Sequence, residues 1–230
     1  MSLRKQLRAL YRGTPLPQLY TLLKLSIIPF EEFSRYLPQE GRILEIGCGY
    51  GYVSNYLSLE RGRRAVIGND PAADRVRVAQ QTIGDRRNIE FVAADSRDLP
   101  VAPLDGAVIA DVLHHVPYAD QEHILRDLHR KLKPGGVLVI RETDKKFRLR
   151  YLLFNCLLEW VLYPRVEKLR FRSAAEWVRL LQGVGYTVQK AIPNRPLSLY
   201  LTVTFVCVTP GPGGGPGQAD GSATWLAAPG

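Results

Sequence analysis

Residues 43–54 read Ile43-Leu44-Glu45-Ile46-Gly47-Cys48-Gly49-Tyr50-Gly51-Tyr52-Val53-Ser54. A short apolar run carries an acid and then three glycines at every second position, which predicts a buried strand turning sharply into a helix. Glycines at 47, 49 and 51 admit positive φ and carry no Cβ, so a ligand can lie against the backbone where the next helix presents unpaired N–H groups. The stretch predicts a nucleotide-shaped pocket. A dinucleotide fingerprint requires Gly-x-Gly-x-x-Gly, and here position 52 is Tyr and position 54 is Ser. Pyrophosphate is therefore disfavoured, and no lysine or arginine stands within the turn to hold it.

Downstream, Ser54 to Leu59 starts a helix, and Arg63 to Asp70 reads as a second strand ending in an acid. Asp70 lies roughly twenty residues past the glycines, the separation at which a carboxylate meets ribose hydroxyls across a parallel sheet. Asp70-Pro71 also spells a helix N-cap followed by proline at the first helical position, and Asn69 is the fallback for the ribose role. After a helix from Ala72 to about Ile83, the segment Asn88 to Ser96 reads as a third strand, again ending in an acid, Asp95. In a doubly wound sheet the strand ends sit side by side, so Glu45, Asp70 and Asp95 line one crevice.

The pattern Glu-x-Gly-x-Gly-x-Gly resembles the first motif of the class I S-adenosyl-L-methionine-dependent methyltransferases, and the resemblance covers roughly residues 40–209. It implies a Rossmann-like, doubly wound α/β sheet of seven strands in the order 3-2-1-4-5-7-6 with strand 7 antiparallel. It implies S-adenosyl-L-methionine as cofactor, S-adenosyl-L-homocysteine as product and no metal. The cofactor set carried over is Glu45, Gly47, Cys48, Gly49, Gly51, Asp70, Pro71, Asp95, Ser96 and Asp111. In that set Asp95 meets the adenine amino group with Ser96 beside the ring, Asp70 takes the ribose and Glu45 lies near the methionine amino group. The ligand chemistry agrees, because carboxylates attract a sulfonium and an ammonium.

Leu104 to Ala110 is the fourth strand, followed by Asp111-Val112-Leu113-His114-His115-Val116-Pro117, which resembles the corresponding motif of the small-molecule methyltransferases. No Asn/Asp-Pro-Pro-aromatic motif and no cysteine stands there, so base methylation of nucleic acid is disfavoured. Imidazole titrates near neutral pH, which makes His115 and His114 candidate proton acceptors, and Glu142 is a third. The competing reading packs one of the two rings. A helix over Gln121 to Leu132 places Ile124, Leu125, Leu128 and Leu132 on one face and stops at Lys133-Pro134-Gly135-Gly136. Val137 to Ile140 is strand five, ending in Arg141-Glu142-Thr143-Asp144, where Glu142 and Asp144 are acceptor-site acids or are neutralised by Arg141.

Three segments flank or interrupt this domain. Residues 1–39 form an N-terminal helical cap, with Leu19, Leu22, Leu23, Ile27 and Phe30 at helical spacing. Residues 145–172 are a helical insertion in which Leu149 to Tyr163 is apolar on nearly every face, so it serves as a lid over an apolar acceptor, a homodimer contact or a membrane-surface helix, in that order. Ser173 and Glu176 spell a capping box, Tyr186 to Ile192 and Leu199 to Thr209 are the closing strands, and residues 210–230 are expected to be disordered.

The 230 residues carry a net charge of +9, which bears on association with polyanions or anionic lipid rather than on fold. Three cysteines without metal-ligand spacing disfavour a disulfide framework and fit a reducing cytoplasm. The expected function is methyl transfer to a small, apolar or lipid-like acceptor, with peripheral membrane contact one option for location. Two alternatives stay open: a non-catalytic binding protein of the same fold, and an RNA methyltransferase using the basic surface.

Overall fold

The computed structural model describes residues 2–12, 30–101, 103–147, 169–194 and 202–211. The expected amphipathic helix before Phe30, the apolar helix at 149–163, the first residues of the last strand and the tail beyond 211 lie outside the described residues. The strands form a seven-stranded sheet in the order β3-β2-β1-β4-β5-β7-β6, as the resemblance implies. By contact the chain divides into two compact units, residues 1–108 and 109–230.

In the first unit β1 (Gly41–Ile46), β2 (Arg64–Asp70) and β3 (Ile89–Ala93) pair in parallel, in registers that run to Ile46 with Asn69 and Asp70 with Ala93. In β1 and β2 the buried runs are continuous rather than alternating because both faces are covered, whereas β3 alternates, burying Ile89 and Phe91 and exposing Glu90. Helices α1 (Leu3–Ala9), α2 (Phe30–Tyr36), α3 (Tyr52–Glu60) and α4 (Ala73–Gln81) belong to the same unit. The third strand is shorter than expected, so Asp95 stands two residues beyond it.

One buried cation organises the entry to β2. The Arg64 side chain is sealed from solvent and donates to the carbonyls of Ser34 (3.0 Å), Leu37 (3.4 Å) and Pro38 (2.7 Å). Those carbonyls close the C-terminal end of α2, where a cation is favoured by unpaired C=O groups and the helix dipole. Glu60 of α3 supplies the counter-charge at 3.1 Å.

The fourth strand, β4 (Leu104–Ala110), crosses into the second unit, which continues with α5 (Tyr118–Lys131), β5 (Leu132–Thr143), α6 (Ala174–Val184), β6 (Thr187–Pro193) and β7 (Thr202–Val208). The last strand runs antiparallel to both β5 and β6. As the periodicity predicts, α5 buries Ile124, Leu125 and Leu128. Both hydrogen bonds of the Ser173–Glu176 capping box are made at the start of α6. The fifth strand extends beyond the expected Val137 to Ile140 at both ends: Arg141 to Thr143 pair with Thr204 to Thr202 of β7, and at the Pro-Gly-Gly turn Thr209 N–H donates to the Gly136 carbonyl at 3.0 Å and Gly136 N–H to Thr209 Oγ1 at 2.9 Å.

Arg64→Met fills the same space but leaves the α2 carbonyls without their donor and Glu60 without its buried counter-charge, although Glu60 keeps the Ser34 hydroxyl. Urea denaturation should show a loss of about 3 kcal/mol.

Candidate functional site

Gly47, Gly49 and Gly51 all take left-handed backbone angles, with φ of 73°, 52° and 83°. The two glycines nearest the helix are required for different reasons. A Cβ on Gly51 would stand 2.6 Å from the Phe91 ring, whereas one on Gly49 would meet no atom of the described residues within 4 Å. Gly51 is thus held by packing, and no described residue fills the place beside Gly49.

The turn is gripped by the end of β2. The Asn69 carbonyl accepts the N–H groups of Gly47 (2.7 Å) and Cys48 (2.9 Å). The Asp70 carboxylate accepts Gly49 N–H at 2.8 Å through one oxygen and Ala72 N–H at 2.9 Å through the other. The N-cap of α4 is Ala72 and not Asp70, a correction with a clear cause: Asp70 spans from the glycine turn to Ala72. Pro71 is exposed beside it.

Glu45 projects from β1 into the start of α3. Its N-cap, Gly51, has no side chain to offer, and Glu45 performs the capping by accepting Ser54 N–H at 2.8 Å and the Ser54 hydroxyl. Burial pushes the Glu45 carboxyl up to about 7, against the hydrogen bonds from Ser54 and with a smaller push from the Asp70 charge. Asp95 caps the short 3-10 turn Ser96–Asp98 and forms a two-pronged pair with Arg97, at 2.9 and 2.6 Å. Ser96 is buried behind it.

Tyr11 is a contributor that the sequence reading missed. Its hydroxyl donates to the Tyr50 carbonyl at 2.9 Å and accepts Asn55 Nδ2 at 2.9 Å, so the segment after α1 is fastened to the turn. The available signal was the recurrence of Leu3, Leu7 and Tyr11 at every fourth position.

In the second unit Glu142 gathers the loop after β4. One oxygen accepts Val112 N–H (3.0 Å) and Leu113 N–H (2.6 Å), and the other meets His114 Nδ1 at 2.7 Å. That contact keeps the proton of a neutral ring on Nδ1 and makes Nε2 its basic nitrogen. His114 is buried between Phe171 (ring centroids 5.4 Å apart) and His115 (4.2 Å), while His115 is half-buried.

Arg141 does not neutralise Glu142 or Asp144 as the sequence reading allowed. It pairs with Asp111 at 2.5 Å and donates to Thr202 Oγ1 at 3.1 Å, because strand alternation turns it away from Glu142. Asp111 itself has φ 57°, uncommon for a residue with a Cβ and worth about 1 kcal/mol or more of strain. Asp144 accepts Lys146 N–H at 3.0 Å. Among the described residues no group of three or more His, Cys, Asp or Glu side chains is placed to hold a metal ion.

A family profile described as a methyltransferase domain matches residues 25–191. The chain belongs to that family, and its sheet places it with the class I, S-adenosylmethionine-dependent type. It is 36% identical over 107 residues to the trans-aconitate 2-methyltransferase of Azoarcus sp., covering 46% of this chain and 40% of that protein. It is 27% identical over 139 residues to the fatty-acid O-methyltransferase of Mycolicibacterium smegmatis, covering 59% and 49%. The chain thus spans about half the length of the curated relatives it matches. Among solved structures, the magnesium protoporphyrin IX methyltransferase of Synechocystis PCC 6803 with bound SAH shares the fold at 18% identity, with a TM-score of 0.62 over 78% of this chain and 81% of that one.

Because the folded Glu45 carboxyl titrates near 7 and an unfolded glutamate near about 4.3, the folded state holds the extra proton between those values. Stability contributed through this group is therefore full below about pH 4 and falls as pH rises towards 7. Urea midpoints of wild type and Glu45→Gln, compared from pH 4.5 to 8, should show wild type losing ground to the variant as pH rises. A difference independent of pH would exclude the assignment.

Proposed function

We propose that this chain binds S-adenosyl-L-methionine over its glycine turn and transfers the methyl group to a small, apolar or lipid-like acceptor. The observation that carries the reading is the Gly49 position, which no described residue fills and which is edged by a carboxylate that already holds the Gly49 N–H. The residues fit this cofactor: the turn offers backbone N–H groups and acids, and no basic side chain stands in it to hold a phosphate. When bound, the cofactor supplies an electrophilic methyl on a sulfonium.

The roles of the chain's own groups follow from their placement. Asp70 faces the ribose hydroxyls with Pro71 beside it, and Gly47, Cys48, Gly49 and Gly51 line the floor. Asp95 and Ser96 take the adenine edge, one strand across from Asp70. Glu45 acts first as the cap of α3, and through that helix start it sets the floor's shape. In the second unit Asp111 is the candidate for the methionine end. For an acceptor that must shed a proton, His115 is the more accessible ring and His114 the one aligned by Glu142. Both Glu142 oxygens are occupied, so Glu142 positions the loop rather than taking the proton itself. Most of the rate enhancement comes from alignment and exclusion of water. The apolar acceptor class is supported by the fatty-acid enzyme among the relatives and by the apolar sequence at 149–163.

Calorimetric titration with S-adenosyl-L-methionine and S-adenosyl-L-homocysteine should give micromolar binding of both, followed by label transfer to fatty acids in preference to RNA. A folded protein that binds neither ligand excludes the reading in favour of a non-catalytic binding role. Label transfer to RNA alone excludes the acceptor class.

Two glycine substitutions separate ligand from fold. Gly49→Ala should weaken S-adenosyl-L-homocysteine more than about tenfold at a strain cost of only about 1 kcal/mol. Gly51→Ala should instead lower the melting temperature, since overpacking against Phe91 costs about 1–3 kcal/mol.

A further inference from the structure

Asn69 is fully buried near the carboxyl end of β2, one residue before Asp70. Its main-chain carbonyl faces the glycine turn, as described above. Its side-chain amide reaches the opposite way and donates to the carbonyls of Val92 (3.3 Å) and Ala94 (2.8 Å). The paired register of β2 and β3 ends at Asp70 and Ala93, so the Ala94 carbonyl lies one residue past the ladder and takes a donor from this side chain. Asp95 and Ser96 follow at once. One residue thus ties the glycine turn on one side to the segment after β3 on the other.

The other amide atom, Asn69 Oδ1, is buried without a hydrogen-bond partner among the described residues. A sealed acceptor with no donor is costly, and an apolar side chain of similar size would carry no such cost. The two bonds from Nδ2 are what account for an amide at this position. Being sealed, Oδ1 is not a ligand contact.

We propose that Asn69 is a positioning residue for base recognition: it holds Asp95 where it reads the exocyclic amino group of adenine and Ser96 beside the ring, without touching the ligand itself. The inference rests on the cofactor reading given above. Because its amide acts on the segment after β3 and not on Asp70, its removal is felt at the base more than at the sugar or the amino-acid end.

The test is calorimetric titration of the whole chain with S-adenosyl-L-homocysteine and with S-inosyl-L-homocysteine, whose purine carries a carbonyl in place of the amino group. Wild type should prefer the adenine ligand by roughly tenfold or more, the scale of one hydrogen bond to a charged acceptor. In Asn69→Leu, and in the smaller Asn69→Ala should the leucine not fold, that preference should shrink to about threefold or less while the inosyl ligand binds nearly as before. An unchanged preference in a folded variant, or equal weakening of both ligands, overturns the proposal. So does failure of both variants to fold, which would give Asn69 a purely structural role. A wild type that binds both ligands equally overturns this inference alone, whereas one that binds neither overturns the cofactor reading beneath it.

Discussion

The grip of the end of β2 on the glycine turn is the constraint from which the first unit is built. A turn of three left-handed residues points successive N–H groups in directions that neither a helix nor a sheet ladder satisfies, and buried donors must be satisfied. The Asn69 carbonyl and the Asp70 carboxylate take three of them, at 2.7–2.9 Å. From the other side the Tyr11 hydroxyl takes the Tyr50 carbonyl. The turn is held by donors and acceptors on elements far apart in sequence, which fixes the backbone at Gly49 before any ligand arrives.

The second unit repeats the device with different partners. Glu142 does for the loop after β4 what Glu45 does for the start of α3: a carboxylate near a strand end collects backbone N–H groups that would otherwise be stranded. Burying these acids is expensive, and hydrogen bonds offset it, from Ser54 at Glu45 and from Val112, Leu113 and His114 at Glu142. At Glu45 that cost pushes the carboxyl up from its ordinary value. The same acids that suit a cationic ligand are already at work shaping the backbone around it.

Much of this was legible in the sequence because the signals were local. Apolar runs marked the strands and the capping box marked α6. The spacing of the glycines and the position of Asp70 marked the turn and its carboxylate. The Asp70-Pro71 cap was misleading because the rule considers only neighbours in the chain, while Gly49 competes for the same carboxylate from 21 residues away. Tyr11 and Asn69 were underweighted for the same reason: the partners that matter lie 39 residues off for Tyr11 and up to 25 for Asn69.

The sequence by itself determined the order and kind of the elements and the chemistry on offer at each strand end, since φ preferences, periodicity and capping depend on residues within a few positions. Which donor each acid meets was decided only by the tertiary structure. Asp111 finds Arg141, and Glu142 finds Leu113 and His114, across separations of 28 to 30 residues. Pairing across strands depends on register and on which face each side chain takes, and a shift of one residue would reverse every such choice.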